Sequence, residues 1–351
     1  MGKFAEFLKE QNNEQPYKLV AFQHHGNVRD INDTGAEELF KLMDKTAKEL
    51  DIELHHVDFN GLYVSEKNGK KYLNTYVIND KGEPQIPNKS GDVKYENPIE
   101  IDPKNTIILS RGLSTVNFNT NRNWVDLIAD LEDDGFFCVP SVKCWDMCGS
   151  KYLTDKILKK NNLRTPKTIA IANSEDTERV MNELGNKFPV VLKTSTGSQT
   201  GVGVVIHESM RSLQASVQMF ALFERLLPII IQEYIKTDYD VRVIIQSGEV
   251  IGAMKRKIMT GDIRSNASLG AEVEKIELTD LEIKDSLKAA ELVDGELVGV
   301  DFIPSKNREK EQPIFIEVNA KPGFVGIESI NKGLTNKILR HFKNRDNWRK
   351  S

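Results

Sequence analysis

The segment Pro313-Ile314-Phe315-Ile316-Glu317-Val318-Asn319-Ala320-Lys321-Pro322-Gly323 constrains this chain more than any other. Its apolar, β-branched run has the character of a buried strand, yet it carries an acid and an amide two residues apart. Side chains alternate along a strand, so Glu317 and Asn319 project from one face while Ile316 and Val318 pack on the other. Upstream, Leu297-Val298-Gly299-Val300-Asp301-Phe302-Ile303 is a second apolar run holding one carboxylate. Such groups are costly to bury unless hydrogen-bonded or bound to a cation. Asp301, Glu317 and Asn319 are oxygen donors suited to a hard divalent ion such as Mg²⁺, which could bridge them to phosphate. A half-exposed strand with an ordinary polar face would need no ion. Phosphate-binding segments elsewhere in the chain decide between the two readings.

The chain has 351 residues, enough for two or three substructures with a sizeable core. Its net charge is −4 and no basic face stands out, so a dedicated nucleic-acid binder is not expected. No apolar run is long enough to span a bilayer and the N-terminus lacks a signal-peptide core, which predicts a soluble, cytoplasmic protein without membrane contact. Cys138, Cys144 and Cys148 are odd in number, which argues against a disulfide framework. Cys144 and Cys148 have helical spacing, but no suitably spaced further ligand follows, so reduced thiols are expected. The pairs His24-His25 and His55-His56 fall on strands or strand ends, where neighbours point to opposite faces and cannot chelate together. His24 or His25 could face a cleft from the end of the first strand.

Strands and helices alternate through the first third: strand 18–23, helix 35–50, strand 52–59, strand 106–109, helix 124–131 and strand 136–139. That alternation implies a parallel, Rossmann-like sheet, although no GxGxxG follows the first strand and a dinucleotide fold is not supported. The stretch from Gly61 to Pro103 is rich in Lys, Asn, Gly and Pro and is expected to form exposed hairpins or loops. A helix is predicted over 146–161, then strands over 188–193 and 204–207, a helix over 211–226 and a strand over 229–234. Strands at 242–246 and 250–257, a helix over 281–293 and the two carboxylate strands complete the chain.

Two further segments have the chemistry of phosphate binding. Lys193 ends an apolar strand and opens a loop with Gly197, Gly201 and Gly203 among hydroxyl residues, where backbone N–H groups can approach phosphate oxygens. A strand follows rather than a helix, so this is a flap and not a Walker A loop; it is expected to close over phosphates when nucleotide binds. In the strand ending Lys255-Arg256-Lys257, Arg256 faces opposite to the two lysines. Arg264, in the polar loop Gly261-Asp262-Ile263-Arg264-Ser265-Asn266, has the planar fork that grips two oxygens of a phosphoryl group.

Taken in order, VVLKTSTGSQTGVGVV, QEYI, GDIRSN, GVDF and IFIEVNAKPGFVGIE resemble the ATP-grasp superfamily, most closely its RimK-type branch, the ribosomal-protein glutamate ligases and relatives. The resemblance runs from about Lys151 to Ser329. It implies an α/β (α+β ATP-grasp) fold: a Rossmann-like N-terminal domain over 1–147 with the polar insertion at 61–103, a central lobe with the glycine flap over 148–233, and a C-terminal lobe with the metal site over 234–351. ATP would lie between two antiparallel sheets. Carried over residue by residue, Lys151 and Lys193 would contact the nucleotide phosphates, helped by Gly201, Gly203 and Ser265. The hinge Gln232-Glu233-Tyr234-Ile235 would meet adenine through the backbone of Glu233 and Ile235, and Asp240 would lie near the ribose. Arg256, Arg264 and Asn266 would contact the phosphate and acyl phosphate. Asp301, Glu317 and Asn319 would hold two Mg²⁺ or Mn²⁺ ions.

The activity implied is ATP-dependent joining of a carboxylate to an amine through an acyl phosphate. The amine would come from an amino acid, glutamate by family precedent, and the acceptor would be a peptide, a protein C-terminus or a small carboxylate. The alternatives are another ATP-grasp peptide or glutathione-synthetase-like ligase, or a non-catalytic ATP-binding protein. A homo-oligomer is compatible with the sequence. After GDIRSN the chain continues Ala267-Ser268-Leu269-Gly270-Ala271-Glu272, without the basic, glycine-rich tract usual in RimK-type enzymes. The N-terminal domain with its insertion also departs from the usual short one.

Overall fold

A computed structural model describes residues 17–23, 34–58, 62–75, 98–110, 118–171, 173–195, 204–222, 229–258 and 272–348. Strand β1 (Lys18–Gln23), helix α1 (Thr34–Glu49) and strand β2 (Glu53–Asp58) open the fold. The hairpin β3 (Tyr63–Lys67) and β4 (Lys70–Asn74), then β5 (Ile99–Ile101), β6 (Thr106–Leu109), α2 (Phe118–Asp133) and β7 (Phe137–Val139) follow. Strands β2-β1-β6-β7 form one sheet, all parallel. Parallel strands are buried on both faces, and the two apolar sets here divide accordingly. Leu19, Ala21, Ile107 and Leu109 pack against Met43, Ala47 and Leu50 at the end of α1. Val20, Val57 and Ile108 pack against Ile128 and Leu131 of α2.

The polar insertion is less exposed than its composition predicts. Its hairpin turns at Asn68-Gly69, with φ of +54° and +72°, the left-handed pair that matches the twist of a two-residue hairpin. β5 adds a third antiparallel strand, and Leu62, Leu73, Ile99 and Ile101 join the cluster under α2. The hairpin is therefore docked through alternate residues. Residues 76–97 of the insertion lie outside the described residues.

The helix expected over 146–161 is two helices, α3 (Val142–Gly149) and α4 (Lys151–Lys160). Ser150 interrupts them in extended backbone, and its hydroxyl accepts from Leu153 N at 3.3 Å, so it caps the second helix. The interruption has a tertiary reason: Lys151 N donates to Ser195 O at 2.9 Å, tying the start of α4 to the end of a later strand.

That strand belongs to the second sheet. β8 (Thr168–Ile171), α5 (Thr177–Glu183), β9 (Val190–Thr194), β10 (Val204–His207), α6 (Met210–Leu222) and β11 (Ile229–Glu233) give an antiparallel sheet in the order β10-β9-β11-β8. Val190, Leu192, Ile229 and Ile231 pack with Val180, Leu213 and Val217 of α5 and α6. Alternation then sends Lys193, Gln232 and Thr168 to the other face.

The third large sheet contains β12 (Tyr239–Gln246), β13 (Glu249–Lys257), β14 (Val273–Lys275), β15 (Leu297–Ile303) and β16 (Ile314–Asn319), with α7 (Asp280–Leu292) between β14 and β15. Its order is β14-β13-β12-β15-β16, antiparallel throughout. Val241, Val243, Ile245, Val298, Val300 and Phe302 pack with Ala289, Ala290 and Val293 at the end of α7. Asp240, Arg242, Arg256 and Asp301 occupy the opposite face, in register from strand to strand. Helices α8 (Val325–Ile330) and α9 (Leu334–Lys343) close the chain; Ile327, Leu334, Ile338 and Phe342 join Ile244 and Met254 to the core of the parallel sheet. No helix among the described residues is long and apolar enough to cross a membrane.

Gly299 faces Asn319 across β15 and β16, and a Cβ added there would meet Pro322 Cβ at 2.9 Å. The close approach of the Pro322 turn to β15 thus requires a glycine. Gly299→Ala is expected to cost about 1–3 kcal/mol by overpacking, read by urea unfolding.

Candidate active site

The three oxygen donors meet as expected, but not by simple alternation. Asp301 faces Glu317 and Gly299 faces Asn319, while Phe302 faces Phe315, so Ile316 is an extra residue in a β-bulge. Strict alternation would put Phe315 on the face of Glu317 and Asn319. The bulge shifts the phase, so Phe315 joins Val318 in the core beneath while Glu317 and Asn319 stay beside Asp301.

Asp301 is buried, and two guanidinium groups hold it. Arg242 donates through Nε to Oδ1 at 2.8 Å and through Nη2 to Oδ2 at 2.6 Å; Arg256 Nη2 lies 3.0 Å from Oδ2. Arg256 in turn donates twice to Asp240, at 2.7 Å each. Burial raises the pKa of Asp301, but Arg242 and Arg256 more than offset it and the carboxyl is held below its ordinary value. Arg256 is held more firmly charged by the reverse balance: burial lowers its pKa, and Asp301 and Asp240 raise it further.

These contacts add to three expectations. Arg256, expected at the phosphate, is buried and bonded to two carboxylates, and Asp240, expected near the ribose, is its ion-pair partner. The N–H of Glu233 already donates to Lys167 O at 2.9 Å, so an adenine contact from Glu233 falls to its carbonyl. Tyr234 and Ile235 follow β11 in the half-buried link between the sheets. Gly201, Gly203, Arg264, Ser265 and Asn266 lie outside the described residues, as do His24 and His25.

The donor set fits a hard divalent cation. Asn319 Nδ2 donates to Glu317 Oε1 at 2.9 Å and lies 3.4 Å from Asp301 Oδ2, so the amide bridges two carboxylates. A half-turn of that amide presents Oδ1 to the same point and makes the set all-oxygen. Among the described residues no three His, Cys, Asp or Glu side chains converge on a metal position, so the amide is needed as the third donor. The cysteines are free thiols. Cys148 is pushed up by its hydrogen bond with Cys144, by burial and by the charge of Glu317, which makes it unreactive.

Lys193 approaches this face from the other sheet. Its ammonium donates to Gln232 Oε1 at 2.7 Å, and Gln232 Nε2 donates to Thr168 Oγ1 at 2.9 Å. Thr168 and Thr165 both donate to Asp155 Oδ1, at 3.2 and 2.7 Å, while Lys159 holds Oδ2 at 3.0 Å. Asp155 is on α4, which packs against both β8 and β16 and carries Lys151 at its first turn. Burial pulls the Lys193 pKa down to about 8; Glu317 raises it, Lys151 lowers it and Asp155 raises it. Lys193 therefore shares a field with a second lysine and with a carboxylate of the five-stranded sheet. Such a place suits a polyanion, which would raise the Lys193 pKa again.

Arg242 was not picked out from the sequence, and Gln232 only as the first residue of the hinge, not as the partner of Lys193. Arg242 stands two residues after Asp240 on one strand, so alternation alone would have placed it on the working face. Gln232 carries no such signal: a neutral partner for a lysine depends on the β11–β9 register.

A family described as RimK-like ATP-grasp domain matches residues 148–342. A probable alpha-L-glutamate ligase of Marinomonas sp. (strain MWYL1) is 32% identical over 191 residues, 54% of this chain and 61% of the relative, so the chain spans less than two thirds of its length. The coenzyme gamma-F420-2:alpha-L-glutamate ligase of Methanocaldococcus jannaschii is 32% identical over 214 residues, 59% of this chain and 70% of the relative. Among solved structures, a RiPP-associated ATP-grasp ligase of Chryseobacterium gregarium in complex with ADP and a leader and core peptide has a TM-score of 0.64 at 15% identity, covering 95% of this chain and 99% of that one. The D-alanine–D-alanine ligase of Bacillus anthracis complexed with ATP has a TM-score of 0.62 at 18% identity, covering 92% and 95%. At these identities the structural likeness is one of fold.

The lowered pKa of Lys193 has a signed consequence. Between about 8 and the ordinary 10.5 the unfolded chain holds the proton that the folded chain has lost, so stability rises with pH across that window. Urea unfolding from pH 8 to 10.5 is expected to show the wild type gaining stability relative to Lys193→Met.

Proposed function

The chain belongs to the RimK-like ATP-grasp family, and from that premise we propose that it is an ATP-dependent ligase that joins a carboxylate to an amine through an acyl phosphate. The observation that carries this reading is that Lys193, on β9, lies in the field of both Lys151 and Glu317, where Glu317 is bonded to Asn319 beside Asp301, so that cations stand near a cluster of oxygen donors. Lys151 and Lys193 would take the phosphates, and the backbone from Glu233 to Ile235 would take adenine. Asp301, Glu317 and Asn319 would hold Mg²⁺ or Mn²⁺, two ions in family precedent, which would neutralise charge on the transferring phosphoryl group.

The reaction would run in two steps. An oxygen of the acceptor carboxylate attacks the γ-phosphorus and ADP leaves. The amine nitrogen then attacks the carbonyl carbon of the acyl phosphate and loses a proton as phosphate leaves. The protein's part is to position the reactants and complement the developing charge. In this reading Arg264 and Asn266 contact the transferring group, and the flap from Thr194 to Gly203 covers it.

The names of the relatives support glutamate as the amine. A peptide acceptor has its support in the peptide-bound structural neighbour, a small carboxylate in the coenzyme ligase. Lys255 and Lys257, on the face of β13 away from Arg256, are neutralised by Glu272 and Glu274, so they leave no cationic track for a strongly acidic acceptor.

A screen of amino acids against short peptides and small carboxylates, reading ADP release and product mass, tests the activity. Glu317→Gln is expected to lower turnover by about 10²–10³-fold while its unfolding curve matches the wild type. Unchanged turnover would remove the oxygen-donor face from the reaction. Arg264→Ala should lower kcat far more than it weakens ATP binding, and Arg264→Lys should rescue poorly because an ammonium lacks the bidentate fork.

A further inference from the structure

We propose that Arg242 is a positioning residue that holds Asp301 in place of a divalent cation and releases it when cation and nucleotide arrive together; this rests on the reading of Asp301 as a cation ligand. Both oxygens of Asp301 are occupied by one guanidinium, Nε at 2.8 Å and Nη2 at 2.6 Å. A cation that binds Asp301 must take at least one of them.

The second arginine cannot play this part. Arg256 is bound twice to Asp240 at 2.7 Å and reaches Asp301 once at 3.0 Å, so its charge is compensated without Asp301. Its side chain is 3% exposed against 15% for Arg242. Among the described residues Arg242 bonds Asp301 alone. Arg242 is therefore the group free to change partners, and Arg256 with Asp240 is the fixed pair against which it moves.

Asn319 points the same way. Its amide nitrogen is turned toward Glu317 and Asp301, so N–H donors from both sides fill the position an ion would take. A released guanidinium needs a new anion, and a triphosphate supplies one. Cation and nucleotide then each remove an obstacle to the other, and their binding is coupled even where they do not touch. A guanidinium suits the exchange because its fork matches a carboxylate and a phosphate equally well.

The test is Mn²⁺ binding followed by electron paramagnetic resonance, with and without a non-hydrolysable ATP analogue. Arg242→Gln is expected to bind Mn²⁺ alone about tenfold more tightly than the wild type, because Oδ1 of Asp301 loses its guanidinium donor while Oδ2 keeps Arg256. The same variant should bind the analogue alone more weakly, and the analogue should enhance its Mn²⁺ affinity less. Loss of mere structural support would weaken Mn²⁺ binding, so the sign separates the two. If Arg242→Gln does not give a cooperative melt, Arg242→Lys carries the test, with a smaller gain in the same direction. Unchanged or weakened Mn²⁺ binding in a folded variant overturns the exchange. Asp301→Asn tests the premise separately: if it leaves Mn²⁺ affinity intact in the presence of the analogue, Asp301 is not a cation ligand.

Discussion

Asp301 lies at the centre of a charge row that crosses three strands, with Arg242 on one side and the Arg256–Asp240 pair beside it. Four charges of alternating sign, three of them buried and Arg242 partly so, sum to zero, and each carboxylate is met by a bidentate fork. A buried ion pair is weak support for stability in itself, because desolvation offsets much of the attraction. Its value here is register. Asp301 can be satisfied only if β12, β13 and β15 pair as they do, since a slip of one residue would send Arg242 to the α7 face.

The rest of the working face follows from that register. With β15 locked to β12, the bulge at Ile316 decides which residues of β16 stand beside Asp301. Gly299 lets the Pro322 turn close against β15, so the end of β16 cannot lift away. The row therefore reaches from the β13 side of the sheet to Asn319 through contacts that each depend on the previous one.

Helix α4 links this face to the other sheet. Its first residue is tied to the end of β9 through Ser195, and its buried Asp155 collects Thr165, Thr168 and Lys159. Through Thr168 and Gln232 the same network reaches Lys193. Lys151 and Lys193, far apart in sequence, are thus held by one helix and one hydrogen-bonded chain, and Lys193 lies in the field of both Lys151 and Glu317. Their repulsion and the burial of Lys193 leave a site whose lacking charge is negative. A polyphosphate would meet that demand.

Much of this was legible in the residues. The parallel sheet, four of the strands of the last third and the donors Asp301, Glu317 and Asn319 follow from alternation and from the cost of burying oxygen atoms in apolar runs. What sequence periodicity could not supply was anything set by contact between distant segments. The break at Ser150 exists because Ser195 bonds the next residue, and the docked hairpin exists because Leu73 and Ile99 meet Ile128. Arg256 was legible as a polar residue on a strand and Asp240 as one just before a strand, but not as each other's partners, since that pairing depends on which strand lies beside β12. Local chemistry determined which groups this chain has to satisfy; only the tertiary structure decided which of them satisfy one another, because a charge selects its partner by distance and not by position in the chain.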